Sequence, residues 1–333
     1  MYRALAALLV ALALTIGLAA CDGQEEEGST GPAAPGPATA SAGEGGPEYR
    51  IALIMKSAGN PFFMSMEEGA QAAADDLGVE LLPQTITDES QDQQQIDVVD
   101  SMVANDVDAI LIAPANSKSL VQPLLRAQEA GIPIINVDNR LDAETVEAAG
   151  LDLVSYVGAD NEEGGRLAGE HLCELLGGEG KVAMLEGRRG VDNAEARRRG
   201  FEAACAEYPG IEIVASEPAD WELQIAQDKF AGIMNAYPDI DGLFCANDNM
   251  ALGAIAAMRE MGKTDDIVVV SYDNIEAAQE AIRAGELAAT IEQNPDDMGA
   301  EAVRTAVAHL EGEEVESEVL VPLEVITAED LTD

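Results

Sequence analysis

From Tyr49 onward short apolar runs alternate with amphipathic stretches, and this alternation constrains the fold more than any other feature of the chain. Apolar runs at 50–55, 79–83, 108–113, 132–137, 154–158, 181–186, 211–215, 241–246, 267–272 and 288–292 read as strands. Stretches at 61–77, 90–105, 117–130, 163–177, 192–207, 221–235, 247–261 and 295–311 carry apolar residues at helical spacing. Strands that are apolar throughout are covered on both faces, as in parallel sheets flanked by helices. The fold class is therefore α/β, and so many strands predict two doubly wound, Rossmann-like lobes rather than one. The punctuation agrees: Asn60 before Pro61 reads as an N-cap, Ser117 and Asn247 stand in equivalent places, and Gly78, Gly131 and Gly262 follow predicted helices.

Open parallel sheets bind ligands beyond the carboxyl ends of their strands. Applied here, that rule selects the loops SAGNPFF, APANS, VDNR, LEGRRG, CANDN and SYDN. They carry Lys56, Asn60, Phe62, Phe63, Asn116, Asp138, Asn139, Asn247, Tyr272 and Asp273, with Gln293 after the last run and Trp221, the single tryptophan, opening the 221–235 helix. Two of only five phenylalanines stand side by side at 62 and 63. Amides and carboxylates pair in-plane with vicinal hydroxyls, and flat rings suit the C–H faces of a pyranose. Each residue alone also reads as a cap, a turn residue or core packing; the set as a whole points to a neutral polyol held between two lobes.

Enzyme signatures do not accompany this set. His171 and His309 fall within helical patterns and read as solvated side chains, and no nucleophile elbow, P-loop or zinc-ligand spacing occurs, so no cofactor or metal is expected. Gly177-Gly178-Glu179-Gly180 reads as a helix-ending turn, not a dinucleotide fingerprint. A net charge of −45 disfavours nucleic acid and anionic membrane surfaces as partners and reads as a salt-adapted, soluble surface. Five of the 18 basic residues crowd at Arg188, Arg189, Arg197, Arg198 and Arg199. Most read as surface partners of nearby acids, with one able to turn inward as a planar donor fork. Cys173 and Cys205 fall late in two helices flanking one strand, where they can form a disulfide in an oxidising compartment or remain separate thiols, whereas Cys245 reads as a core thiol.

The N-terminal segment reads as a leader and tether. Arg3 precedes an apolar run from Ala4 to Leu14 that is short for a membrane span. Leu18-Ala19-Ala20-Cys21 resembles a bacterial lipobox, so residues 1–20 are expected to be a lipoprotein signal peptide and Cys21 the lipidated N-terminus, the alternative being an ordinary secretory signal. Residues 21–47, rich in Gly and Pro with the acidic run Glu25-Glu26-Glu27, lack the apolar side chains needed for a core and form a disordered tether with a mean reach of roughly 28 Å.

Taken in order, IALIMKSAGNPFF, AILIAPANS, PIINVDNR, EARRRGF, PADW, FCANDNMALGA, VSYDN and ATIEQNPDDMGA resemble the periplasmic sugar-binding proteins of ABC importers, the ribose- and allose-binding types above all. The resemblance runs from about Tyr49 to Leu331. It implies the type 1 periplasmic binding protein fold, with a three-stranded hinge between an N-terminal lobe (48–158 plus 294–320) and a C-terminal lobe (159–293 plus 321–333). By motif match it places Asn60, Phe63, Asp138, Arg197, Asn247, Asp273 and Gln293 on sugar-binding positions and Phe62, Trp221 and Tyr272 on aromatic ones; Lys56 matches an allose-type lysine. Ribose binders carry Arg directly after the aspartate, where this chain has Asn139, which counts against ribose itself. The implied function is capture of a ribose-, allose- or xylose-like aldose by a monomer that delivers it to a membrane permease and its ATPase. A sugar-sensing role or another cyclic polyol is the alternative. A sugar-responsive transcription regulator of similar fold would need a basic helix-turn-helix where this chain has its leader.

Overall fold

The computed structural model describes residues 49–331; the leader, the tether and Cys21 lie outside the described residues. The chain runs β1 (Arg50–Met55), α1 (Pro61–Leu77), β2 (Glu80–Thr85), α2 (Asp92–Ala104), β3 (Ala109–Ile112), α3 (Val121–Glu129), β4 (Ile134–Val137), α4 (Ala143–Ala149) and β5 (Ser155–Gly158). It continues through α5 (Asn161–Leu175), β6 (Glu179–Glu186), α6 (Asp192–Ala206), β7 (Gly210–Pro218), α7 (Leu223–Ala236), β8 (Gly242–Cys245), α8 (Asp248–Met261), β9 (Val268–Tyr272), α9 (Glu276–Arg283) and β10 (Ala289–Glu292). It closes with α10 (Pro295–Leu310), β11 (Glu318–Leu320) and β12 (Glu324–Thr327).

These strands form two six-stranded sheets of matching order, β2-β1-β3-β4-β5-β11 and β7-β6-β8-β9-β10-β12. Every pairing is parallel except β10 with β12. The chain passes between the sheets three times, after β5, after β10 and between β11 and β12, which gives the expected two-lobed architecture. β1 shows why the strands read as unbroken apolar runs. Ile51, Leu53 and Met55 enter one core, while Ala52 and Ile54 enter the core on the opposite face.

Local details differ from the sequence expectation where backbone conformation intervenes. Trp221 precedes helix α7 instead of opening it, because Asp220 and Trp221 adopt left-handed φ values of 53° and 69°. Ser117 is not the cap of α3; Asn116 Oδ1 accepts from the Lys118 and Ser119 amides in the preceding turn. Asn60 and Asn247 do cap, accepting from Phe62 N and Met250 N. The short helices α4 and α9 and the edge strands β11 and β12 carry no long apolar run and were not marked by periodicity.

Two helix pairs brace the lobes. In each lobe the helix after the first strand (α1 after β1, α6 after β6) packs on the helix delivered by a crossing (α10 and α5). A Cβ on Gly299 of α10 would lie 2.0 Å from Met66 O, and one on Gly200 of α6 would lie 1.9 Å from Glu162 O. Backbone therefore rests on backbone, and neither site tolerates a side chain. Gly200→Ala should lower stability by about 1–3 kcal/mol, seen as a lower denaturant midpoint. Gly232→Ala, with open space around it in α7, should leave the midpoint unchanged or slightly higher.

Candidate functional site

The carboxyl ends of the two sheets face each other across a small cavity. From the first lobe come Lys56, just past β1, Asn60, Phe62 and Phe63 at the start of α1, Glu89 from the loop after β2, and Asp138 after β4. From the second come Asn193 and Arg197 of α6, Trp221 after β7, Asn247 after β8, Asp273 after β9 and Gln293 after β10.

Arg197 organises the second-lobe side. Its Nε donates to Asn161 Oδ1 at 2.8 Å and Nη1 to Ala246 O at 2.7 Å. Nη1 also lies 3.5 Å from Asp273 Oδ1, and Nη2 lies 3.4 Å from Gln293 Oε1. The guanidinium sits 3.6 Å from the centre of the Tyr272 ring, and Gln293 Nε2 donates to Asp273 Oδ1 at 2.7 Å. The first-lobe side is built on Lys56, whose Nζ stands 3.1 Å from Asp138 and 3.5 Å from Glu89. The same Nζ lies within 6 Å of the Phe63 and Trp221 ring centres, at 5.7 and 5.9 Å. Phe62 meets Phe63 edge-on at 5.1 Å.

Burial sets the protonation of these groups. Desolvation alone would push the Lys56 ammonium down, but Asp138 and Glu89 outweigh it and hold its pKa above the ordinary value. Burial pushes Glu89 up to about 7 against the opposing pull of Lys56. Asp273 is raised well above the usual carboxylate range, again by burial first, with Arg197 acting against it. Asn193 Oδ1 and Trp221 Nε1 are buried with no hydrogen-bond partner among the described residues. Such atoms cost about 1–3 kcal/mol each unless a ligand meets them.

The turns that present the site are strained. Asp138, Asp273 and Asn274 have φ values of 59°, 115° and 56°, outside the ordinary regions for side-chain-bearing residues. Each turn is held from behind. Tyr156 Oη donates to Asp138 O at 2.7 Å, and buried Asp248 accepts from Ile275 N at 2.9 Å, Thr290 Oγ1 at 2.8 Å and Ser271 Oγ.

Most of the residues selected by the strand-end rule converge on the cavity; three lie outside its lining. Tyr272 is fully buried beneath Arg197, a platform for the guanidinium. Asn116 closes a turn on Lys118 and Ser119, which occupies its oxygen. Asn139 bridges the lobes instead, donating to Pro114 O at 2.9 Å and accepting from Asn193 N at 3.1 Å. Asp192 N donates to Ser117 Oγ, and Arg188 reaches Asp92 at 2.9 Å and Glu89 O, so the lobes touch beside the cavity. Of the five clustered arginines only Arg197 turns inward; Arg189 pairs with Glu186, Arg198 with Glu195 and Glu202, and Arg199 with Glu162. Glu89 and Asn193 went unmarked by sequence. The strand-end rule extended to the loop after β2 would have reached Glu89, since β2 runs on to Thr85; Asn193 sits inside α6, where no strand-end signal points to it.

Residues 51–314 match the family described as the periplasmic binding protein domain. The chain belongs to the periplasmic binding protein family. A D-ribose/D-allose-binding protein of Pseudomonas aeruginosa is 38% identical over 285 residues, covering 84% of this chain and 89% of the relative. A D-allose-binding periplasmic protein of Escherichia coli is 34% identical over 77% of this chain and 83% of its own length. Among solved structures, an ABC transporter periplasmic solute-binding protein from Actinobacillus succinogenes with bound D-allose shares 40% identity and a TM-score of 0.80, covering 85% of this chain and 98% of its own. One from Bacillus halodurans with bound myo-inositol shares 28% identity and a TM-score of 0.78, covering 86% and 97%. As a periplasmic binding protein the chain belongs among solute binders, not enzymes.

Glu89 generates a pH prediction. Its folded pKa of about 7 lies above the ordinary 4.5, so the folded state keeps a proton that the unfolded chain has lost between these values. The stability linked to this group is complete below pH 4.5 and is lost as pH rises through 7. Glu89→Gln should flatten the decline of unfolding free energy across that window by up to about 1.4 kcal/mol per pH unit, measured by denaturant titration without ligand.

Proposed function

We propose that this periplasmic binding protein captures one neutral monosaccharide, a ribose-, allose- or xylose-like aldose, between its lobes and delivers it to the permease of an ABC importer. The observation that carries this reading is the pairing inside the cavity. Arg197, Asp273, Gln293 and Asn247 face Lys56, Asp138, Glu89 and Asn60 across a space bounded by Phe63 and Trp221. Both charge signs are already matched within the protein, so an ionic ligand would leave a buried charge uncompensated, whereas hydroxyls both donate and accept. The sugar names borne by the relatives and the D-allose in the related structure support the same class.

In this reading the chain is exported by its leader, lipidated at Cys21 and held near the membrane by residues 21–47, working as a monomer. The open form admits the sugar, and closure brings Arg188 to Asp92 and Asn193 N to Asn139 as the hydroxyls meet their partners. The closed form then docks on the permease, whose ATPase supplies the work. The myo-inositol-bound relative favours a second occupant, a cyclic polyol, which the same donor and acceptor set can satisfy.

Trp221, the only tryptophan, reports on the cavity directly. Titration with D-allose, D-ribose, D-xylose and myo-inositol should change its emission for at least one of them and raise the melting temperature in parallel. A response to an amino acid with none to any of these sugars would overturn the reading. Arg197→Ala should weaken sugar binding by about a hundredfold or more.

A further inference from the structure

Helices α5 and α6 run side by side, and the contacts along them fall into three levels. At the start of α5, Asn161 Oδ1 accepts from Arg197 Nε of α6. In the middle, Gly165 and Gly200 let the two backbones touch, for a Cβ on Gly165 would lie 2.2 Å from Arg197 O. At the far end, Cys173 and Cys205 meet with their sulfurs 3.7 Å apart in hydrogen-bond contact, both buried. Cys245 stands elsewhere in the same core, with no second thiol against it among the described residues.

We propose that Cys173 and Cys205 form a disulfide in the exported protein, and that this bond staples α5 to α6 and fixes the helix pair that carries Arg197 into the cavity. The proposal rests on the export part of the reading above, because an oxidising compartment supplies the conditions. The step balances with a disulfide oxidant, a small-molecule or protein disulfide. One thiolate attacks a sulfur of the oxidant to form a mixed disulfide. That attack releases the oxidant's other sulfur as a thiolate, and the second protein thiolate then displaces the remaining one, so the protein gives up two electrons and two protons and the oxidant is reduced to two thiols. With both thiols covered in the finished fold, the exchange takes place before α5 and α6 close on each other, or during their local opening. Closing the bond requires the sulfurs to approach from 3.7 Å to about 2 Å.

The staple adds to the functional site at a distance. Arg197 is bonded to Asn161 at the near end of the pair, so any sliding of α6 along α5 displaces the guanidinium from Asp273 and Gln293. The bond at the far end opposes that sliding while leaving the lobe crossings free to bend.

The test uses the full chain expressed with its own N-terminal segment, alkylated under denaturing conditions without reductant and analysed by peptide mass. The expected result is alkylated Cys245 and a cross-linked pair of peptides containing Cys173 and Cys205, lighter by two hydrogen atoms than the two free peptides. Alkylation of all three thiols in the exported chain overturns the proposal. Refolding the reduced chain in a mixture of oxidised and reduced glutathione then separates the causes: a bond formed there places the fault with the export reading, and none formed places it with the geometry. With the bond present, the oxidised protein should melt about 5 °C or more above its reduced form, and Cys173→Ser with Cys205→Ser should melt like the reduced form. Equal melting temperatures would overturn the stapling role. None of these readouts depends on the sugar, so failure of the ligand assignment would show separately.

Discussion

The buried guanidinium of Arg197 is the interaction on which the rest of this structure depends. A charge removed from water is tolerable only when its donors are met, and every partner of Arg197 comes from a different element. Asn161 begins α5, the Ala246 carbonyl follows β8, Asp273 follows β9, Gln293 follows β10, and the Tyr272 ring at the end of β9 lies beneath. Placing one arginine therefore requires three strand ends and two helices to be in register. The glycine contacts between α5 and α6 bring the arginine close enough to reach all of them.

The facing lobe solves the complementary problem with Lys56 between Asp138 and Glu89. The two charged clusters are each nearly self-compensating, and their residual capacity is in hydrogen bonding. This is what suits the cavity to a hydroxyl-rich neutral ring. It also separates the interior from the surface, where ion pairs such as Arg166–Glu163 and Arg259–Glu286 are solvated. The acidity that dominates composition therefore says little about the ligand.

Much of the architecture was legible in sequence because central strands such as β1 are apolar on both faces and Asn60 and Asn247 cap α1 and α8 with side chains of distinct chemistry. The strand-end rule reached most of the cavity lining for the same reason: in a doubly wound sheet the loops at one edge are the only ones that can converge. What escaped it depends on tertiary contact. Nothing local distinguishes Arg197 from Arg198 and Arg199; the helix face decides, turning Arg197 inward and leaving its neighbours to Glu195, Glu202 and Glu162. Tyr272 and Asn139 share the strand-end signature of their neighbours, yet one packs beneath the arginine and the other joins the lobes, because strand residues alternate in direction and the chain turns sharply at Asp138. Asn60 serves as both cap and cavity residue, so its sequence signal was right for two reasons at once.

The central claim is that one neutral sugar is held by groups from both lobes and closes them together. Small-angle X-ray scattering tests this most directly, comparing the radius of gyration without ligand and with whichever of D-allose, D-ribose, D-xylose or myo-inositol changes the tryptophan emission. The account predicts a smaller radius with the sugar in the parent chain and no change for Asp138→Ala at the same concentration. An unchanged radius at saturating sugar in the parent chain would contradict it.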